Sequence, residues 1–351
     1  MSDQKDEISL KRQLAASSFR YLLGKHWVPT EKWTVLMYHR VTPPEEVPYP
    51  IQAGMYVKPD TFKMHIDFLK KNARVIPLMD LIQEVEAGER KEKKKTVAIT
   101  FDDGWSDFAT HANPVLEEHE IPASVFLPTA YIGTSKLFWT DLLSLHLHAL
   151  SKVTEKKTSI LHRIEETLND RTYIDLVHAY FSNAQANFPK ELDAIIEKAK
   201  ESSEENRRAF LSSISILAKE YCHPSCDSQF LSWEQIQTIS QKGLVTFGSH
   251  GHQHRLLDQL TKEQVKDDIT QSIQIFKEKS VTCLPVFCYP NQNRNSTTDE
   301  VLKDLDFSYS LGSFLKKESP ELIDPPCLHR IGIHEDVALS EKLFALRLWL
   351  K

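Results

Sequence analysis

The stretch "TVAITFDDGWSDF", Thr96 to Phe108, ends an apolar run on two adjacent carboxylates, Asp102 and Asp103, and turns at once on Gly104. A short apolar run bounded by a turn signal reads as a buried strand. Asp-Gly is an ordinary turn dipeptide, and an acid there can also cap the next helix. That accounts for one acid, not two. Neighbouring carboxylates repel unless a cation stands between them or one carries a proton. A divalent cation resolves the conflict, and its other ligands should then stand elsewhere in the chain.

They are found in "LVTFGSHGHQHRLL", Leu244 to Leu257. His250 and His254 are four apart just after an apolar run, and in a helical turn that spacing puts both imidazoles on one face. His252, between them, should point away. Imidazole with carboxylate suits zinc, cobalt, nickel or manganese. One Asp and two His leave coordination positions open, as a catalytic site requires. A His pair at this spacing is also common on exposed helices. What singles this one out is position: both motifs follow predicted strands, at the ends where α/β folds gather their active sites.

The rest of the chain supports an α/β reading. "TVLMYH" (34–39), "PASVFLPT" (122–129), "PVFCYP" (285–290) and "FSYSLG" (307–312) read as further strands. "PDTFKMHIDFLKKN" (59–72) reads as a helix, with Phe62, Ile66 and Leu69 on one face. Ser232 with Gln235, and Thr261 with Gln264, stand at capping-box spacing. Strands alternating with helices imply a parallel sheet or barrel. Between Gly133 and Gly243 the rhythm breaks into glycine-free, helix-periodic sequence, read as about four helices. The expected division is a helical extension at 1–32, with Leu10 to Leu23 amphipathic, a barrel formed by 33–137 and 231–340, and a helical insertion at 138–230.

With 41% hydrophobic and 26% charged residues the chain reads as globular rather than disordered. A net charge of −6 gives no basic footprint for nucleic acid, and no apolar run reaches the length of a membrane span. The five cysteines are scattered, so no disulfide framework is expected, and "CHPSC" (222–226) reads as loop thiols. A polar N-terminus without an apolar core segment, together with unpaired thiols, sets the expectation of a cytoplasmic protein.

In order, "TFDDG", "VFLPT", "SWEQI", "FGSHGHQHRLL" and "FCYPNQ" resemble the polysaccharide deacetylase family, metal-dependent carbohydrate esterases with the NodB homology domain. The resemblance runs from about Thr34 to Ile333, without the insertion. It implies a distorted (β/α)7-type barrel. It also implies that Asp103, His250 and His254 bind one divalent metal, zinc before cobalt, nickel or manganese. Asp102 is then the base that activates water for attack on an acetyl group of an amino sugar or glycan. The YPN loop implies an oxyanion donor at the Asn291 amide, with Pro290 fixing the turn. Tyr38, Tyr289, Pro290, Asn291 and Arg330 become the expected substrate contacts. "VLMYHRV" resembles a permuted branch in which the acid-bearing strand comes first, so His39 is the expected general acid, across the attacking water from Asp102, with His334 and then His329 behind it.

Departures from the family pattern are clear. Gly251 stands where a Ser or Thr is usual. Cys288 stands where many members carry an Arg that orients the base; Arg330 either supplies that charge from a later strand or is a surface or structural residue. Three other readings compete with an N- or O-deacetylase. They are a carbohydrate-binding homologue without turnover, a metal-dependent hydrolase of a non-sugar amide, and a structural protein working through its helical block.

Overall fold

The structure, a computed structural model, describes residues 33–88, 94–168, 170–183, 190–312 and 326–350. The expected extension at 1–32 lies outside the described residues. Among the described residues ten strands follow in chain order: β1 (Trp33–Tyr38), β2 (Arg40–Val41), β3 (Tyr56–Val57), β4 (Ala73–Val75), β5 (Lys95–Phe101), β6 (Ala123–Leu127), β7 (Val245–Ser249), β8 (Cys283–Cys288), β9 (Tyr309–Gly312) and β10 (Cys327–Gly332).

Strand β5 is buried at all seven positions, as a strand covered on both faces should be. Parallel pairing runs β5-β6-β7-β8-β9-β10-β1, and β1 returns to pair with β5 from Trp33↔Thr96 to Tyr38↔Phe101. The seven strands therefore close into a barrel, with β4 added beside β5 at Ala73↔Lys95 to Val75↔Val97. This is the distorted (β/α)7 barrel expected from the sequence. Helices connect the parallel strands, among them Pro59–Asn72, Asn113–His119, Trp233–Gln241, Lys262–Glu278 and Ser296–Asp304. Both capping boxes form, at Ser232 and Thr261, and a third forms at Asn295 with Thr298.

Val35, Ala98, Phe126, Val286, Leu311 and Leu328, from six strands, belong to one buried cluster. Residues from so many strands meet only inside the barrel. Leu78, Leu81 and Ile82 of the helix Leu78–Ala87 join that cluster, so this helix packs over the end from which the strands start. The opposite end, where the strands stop, is left to polar residues.

The chain divides into two units. Among the described residues, the barrel unit takes in 33–42, 56–134 and 230–350, and the second unit 43–55 and 135–229. Among its described residues the second unit contains five α-helices, Trp139–Lys152, Lys157–Thr167, Arg171–Asn183, Lys190–Glu201 and Glu204–Tyr221, against about four suggested by the periodicity. They bury Leu147, Ile164, Val177, Ile195 and Ile214 in a core of their own. The segment 43–55 is tied to it by Gln52, whose Nε2 donates to Asp193 Oδ1 at 2.8 Å.

Gly248 of β7 lies against Phe126 of β6: a Cβ there would stand 2.6 Å from Cε1 and 2.8 Å from Cδ1. Gly248→Ala must push that ring into a filled interior, so we expect a loss of about 1–3 kcal/mol. Urea denaturation should show it as a lower midpoint with an unchanged slope.

Candidate active site

The carboxyl ends of β1, β5, β7 and β8 converge. Asp102 N donates to Tyr38 O at 2.9 Å, which sets His39 beside the acid pair as both strands end. His250 N donates to Leu127 O at 3.0 Å and carries the histidine loop off β7 at the same level.

Asp103 and the two histidines form one group. Asp103 Oδ1 lies 3.5 Å from His250 Nε2 and 3.2 Å from His254 Nε2, and one donor atom from each residue falls within 4.8 Å of the others. His250 Nδ1 donates to Cys288 O at 2.8 Å, which leaves Nε2 as the atom facing Asp103. Trp105 Nε1 donates to Asp103 Oδ2 at 3.0 Å. Burial raises the Asp103 pKa, but His250 and His254 outweigh it and hold the carboxyl well below its ordinary value.

The histidine pair does not ride a helical turn, as its spacing suggested. It sits in a loop, with Gly251 at φ 74° and His254 at φ 51°. Asp268 explains why. Its carboxylate accepts from His252 N at 2.7 Å and Gln253 N at 3.0 Å, taking amides that a helix would turn inward. A Cβ on Gly251 would stand 2.8 Å from Asp268 Oδ2, so a side chain there would push on the carboxylate that holds the loop. His252 points away, bonded through Nδ1 to Thr129 Oγ1 at 2.9 Å.

Arg330 holds Asp102. Its Nη1 donates to Oδ1 and its Nη2 to Oδ2, both at 2.7 Å, and the guanidinium is fully buried. The surface alternative for Arg330 is thereby excluded, and so is the expected substrate contact, since both ends of the fork are engaged inside the protein. Burial raises the Asp102 pKa, yet Arg330, with His250 and His39 behind it, leaves it below its ordinary 3.8. Cys288 donates from Sγ to Asp102 Oδ1 at 3.4 Å and accepts from Arg330 Nη2 at 3.1 Å.

His39 Nε2 lies 4.0 Å from Asp102 Oδ2. Burial lowers its pKa more than Asp103 and Asp102 raise it. Of the alternatives, His329 is exposed on β10, and His334, just past the end of β10, has Nδ1 3.9 Å from Asp336 Oδ2. Two other expected substrate contacts also need correction. Tyr38 is buried between Phe62 and Phe101 with its hydroxyl on His65, and Tyr289 is buried with its hydroxyl donating to Asp299 at 2.7 Å. Pro290 is buried beside Gly251, and only Asn291, at φ 49°, is exposed. Trp105, Asp268 and the Cys288 carbonyl were not singled out in the sequence. None carries a local signal, because each reaches the site through a turn or a neighbouring element.

Arg330→Met would leave Asp102 buried without its cation, at a cost of about 3–5 kcal/mol. Because the folded pKa of Asp102 is depressed, the pair's contribution is complete above the unfolded carboxylate value and is lost as pH falls through the folded one. The stability gap between the unaltered and Arg330→Met proteins should therefore be widest near neutral pH and narrow below 3.8. Urea titrations across that range would measure it.

Comparison with known proteins agrees with this geometry. The profile of the family described as polysaccharide deacetylase matches residues 89–168 and 196–310, more than half of the chain. The poly-beta-1,6-N-acetyl-D-glucosamine N-deacetylase of Staphylococcus epidermidis is 38% identical over 84 residues, 24% of this chain and 28% of that protein. The putative polysaccharide deacetylase YxkH of Bacillus subtilis is 28% identical over 110 residues, 30% and 37% of the two chains. The chain thus aligns with about a third of the length of these relatives. Among solved structures, the Streptococcus pyogenes deacetylase PplD in complex with acetate superposes with a TM-score of 0.55 at 16% identity, covering 91% of this chain and 98% of that one. IcaB from Ammonifex degensii gives 0.54 at 17%, covering 92% and 97%. These two share the fold, and the profile match over most of the barrel's motifs carries the assignment: the chain belongs to the polysaccharide deacetylase family.

Proposed function

We propose that the protein is a metal-dependent deacetylase that removes an N-acetyl, or O-acetyl, group from an amino sugar or glycan. The observation that carries this reading is the approach of both imidazole Nε2 atoms to one oxygen of Asp103, with Asp102 pinned alongside. The donor set fits a divalent transition metal. It has two nitrogens and one oxygen in reach of a common point, and His250 is already fixed in the tautomer that offers Nε2. Asp103, His250 and His254 would hold the ion, zinc first among the candidates. When bound, the ion supplies a Lewis acid that polarises the acyl oxygen and lowers the pKa of water, which a carboxylate as acidic as Asp102 needs beside it.

Asp102 takes the proton of the attacking water. Each carboxylate oxygen has two lone pairs; Arg330 and Cys288 together take those of Oδ1, and the Arg330 fork leaves one on Oδ2 for that purpose. Arg330 keeps the base charged and fixes its plane. The amide of Asn291 is assigned to the oxyanion. His39 donates a proton to the departing amine as the C–N bond breaks, releasing acetate and a free amino group. Its lowered pKa makes the protonated ring a stronger donor. The protonated fraction falls as pH rises through a value below the ordinary 6.5, so turnover should decline from there upward. The name of the Staphylococcus epidermidis relative supports an N-acetylglucosamine polymer as the substrate to try first.

The test is acetate release from N-acetylglucosamine oligomers by the full chain loaded with zinc or cobalt. No release with either metal bound would refute the reading. Asp102→Asn should lower turnover by at least roughly 100-fold with metal content unchanged, and near-normal turnover would remove Asp102 as the base. His39→Ala should lower turnover and abolish that decline without loss of metal, whereas His254→Ala should lose the metal itself.

A further inference from the structure

Trp105 is buried at the site and has no part in the chemistry so far. Asp103 and Gly104 both take positive φ, 73° and 65°, so the chain doubles back and brings the indole onto the carboxylate two residues before it. Gly104 is obligatory there, since a Cβ would stand 2.7 Å from Leu127 Cδ2 and 2.9 Å from Ile132 Cδ1. The ring is fixed from two directions. Phe230 stacks on it at 4.7 Å between centroids, 17° between planes, and Arg40 Cζ lies 4.4 Å from its centroid. Arg40 is itself fixed, because Asp107 accepts from its Nε at 2.7 Å and from Val41 N at 3.0 Å.

A carboxylate turns about its Cβ–Cγ bond, so a donor on one oxygen aims the other. Here Oδ2 takes the indole N–H and Oδ1 faces both imidazoles. We propose that Trp105 is a positioning residue that sets the affinity of the site for its ion, holding Asp103 so that it offers Oδ1 alone. The inference rests on Asp103, His250 and His254 being the ligands. Removing an outer partner of a metal ligand typically weakens binding by about 10–100-fold. A tryptophan that only filled the space between Arg40 and Phe230 could be replaced by another aromatic ring without that effect.

Trp105→Phe keeps a ring in the stack and lacks the N–H. Zinc affinity of the full chain, stripped of metal and titrated against a chromophoric chelator, is the readout, with the thermal midpoint of the metal-free protein beside it. We expect the dissociation constant to rise about 10–100-fold while the midpoint holds. If Trp105→Phe lowers the midpoint, benzothienylalanine placed at 105 by codon suppression replaces the N–H with sulfur in the same shape, and the same rise is expected. Unchanged affinity in either folded variant overturns the proposal. Failure of the unaltered chain to bind zinc overturns the ligand assignment with it, so the two failures are told apart.

Discussion

Strand β1 has a partner on each edge, and the site depends on it. It matches β5 through six residues and β10 through Val35↔Arg330 to Met37↔Gly332. Parallel strands left open would expose two rows of unpaired backbone groups, and closure removes both. It also decides which distant parts of the chain become neighbours. Tyr38 is level with Phe101, so His39 and Asp102 leave the barrel side by side. The residue level with Val35 on the other edge is Arg330, whose long side chain rises inside the barrel to Thr100 and Asp102. The first and the last of the described strands thus furnish two of the groups around Asp102.

The concentration of buried charge at this end is unusual for a protein interior. Asp102, Asp103, Arg40, Asp107 and Arg330 are each almost wholly out of solvent. Buried ion pairs contribute little net stability, because desolvation consumes most of the attraction between the partners. Their value here is geometric. Each carboxylate is fixed by donors on both oxygens or by a donor on one and imidazoles on the other, and none is free to turn. The apolar barrel interior beneath them supplies the stability that such an arrangement lacks.

Much of this was legible in the sequence. Periodicity marked the strands and the helical block, and the two capping boxes marked helix starts, since these signals are local. "TFDDG" and "HGHQH" marked the site because carboxylate and imidazole have few reasons to be grouped at strand ends. Three features were not legible. The place of Arg330 depends on the pairing of β10 with β1, across nearly the whole chain. The helical geometry read from the His250–His254 spacing fails because Asp268, from the helix Lys262–Glu278, takes the amides of the intervening loop. Tyr38 and Tyr289 looked available from their motifs, yet His65 and Asp299 engage their hydroxyls in the interior.

The bond from His250 Nδ1 to the Cys288 carbonyl has a different kind of consequence. Every residue type carries a carbonyl oxygen, so the imidazole is steadied by the path of the main chain and not by the chemistry of residue 288. That position can exchange its side chain without letting go of the histidine. Cys288 turns its thiol toward Asp102 while its main chain serves His250, and the two duties are separable. A substitution at 288 can therefore change what reaches Asp102 while the histidine stays in place throughout.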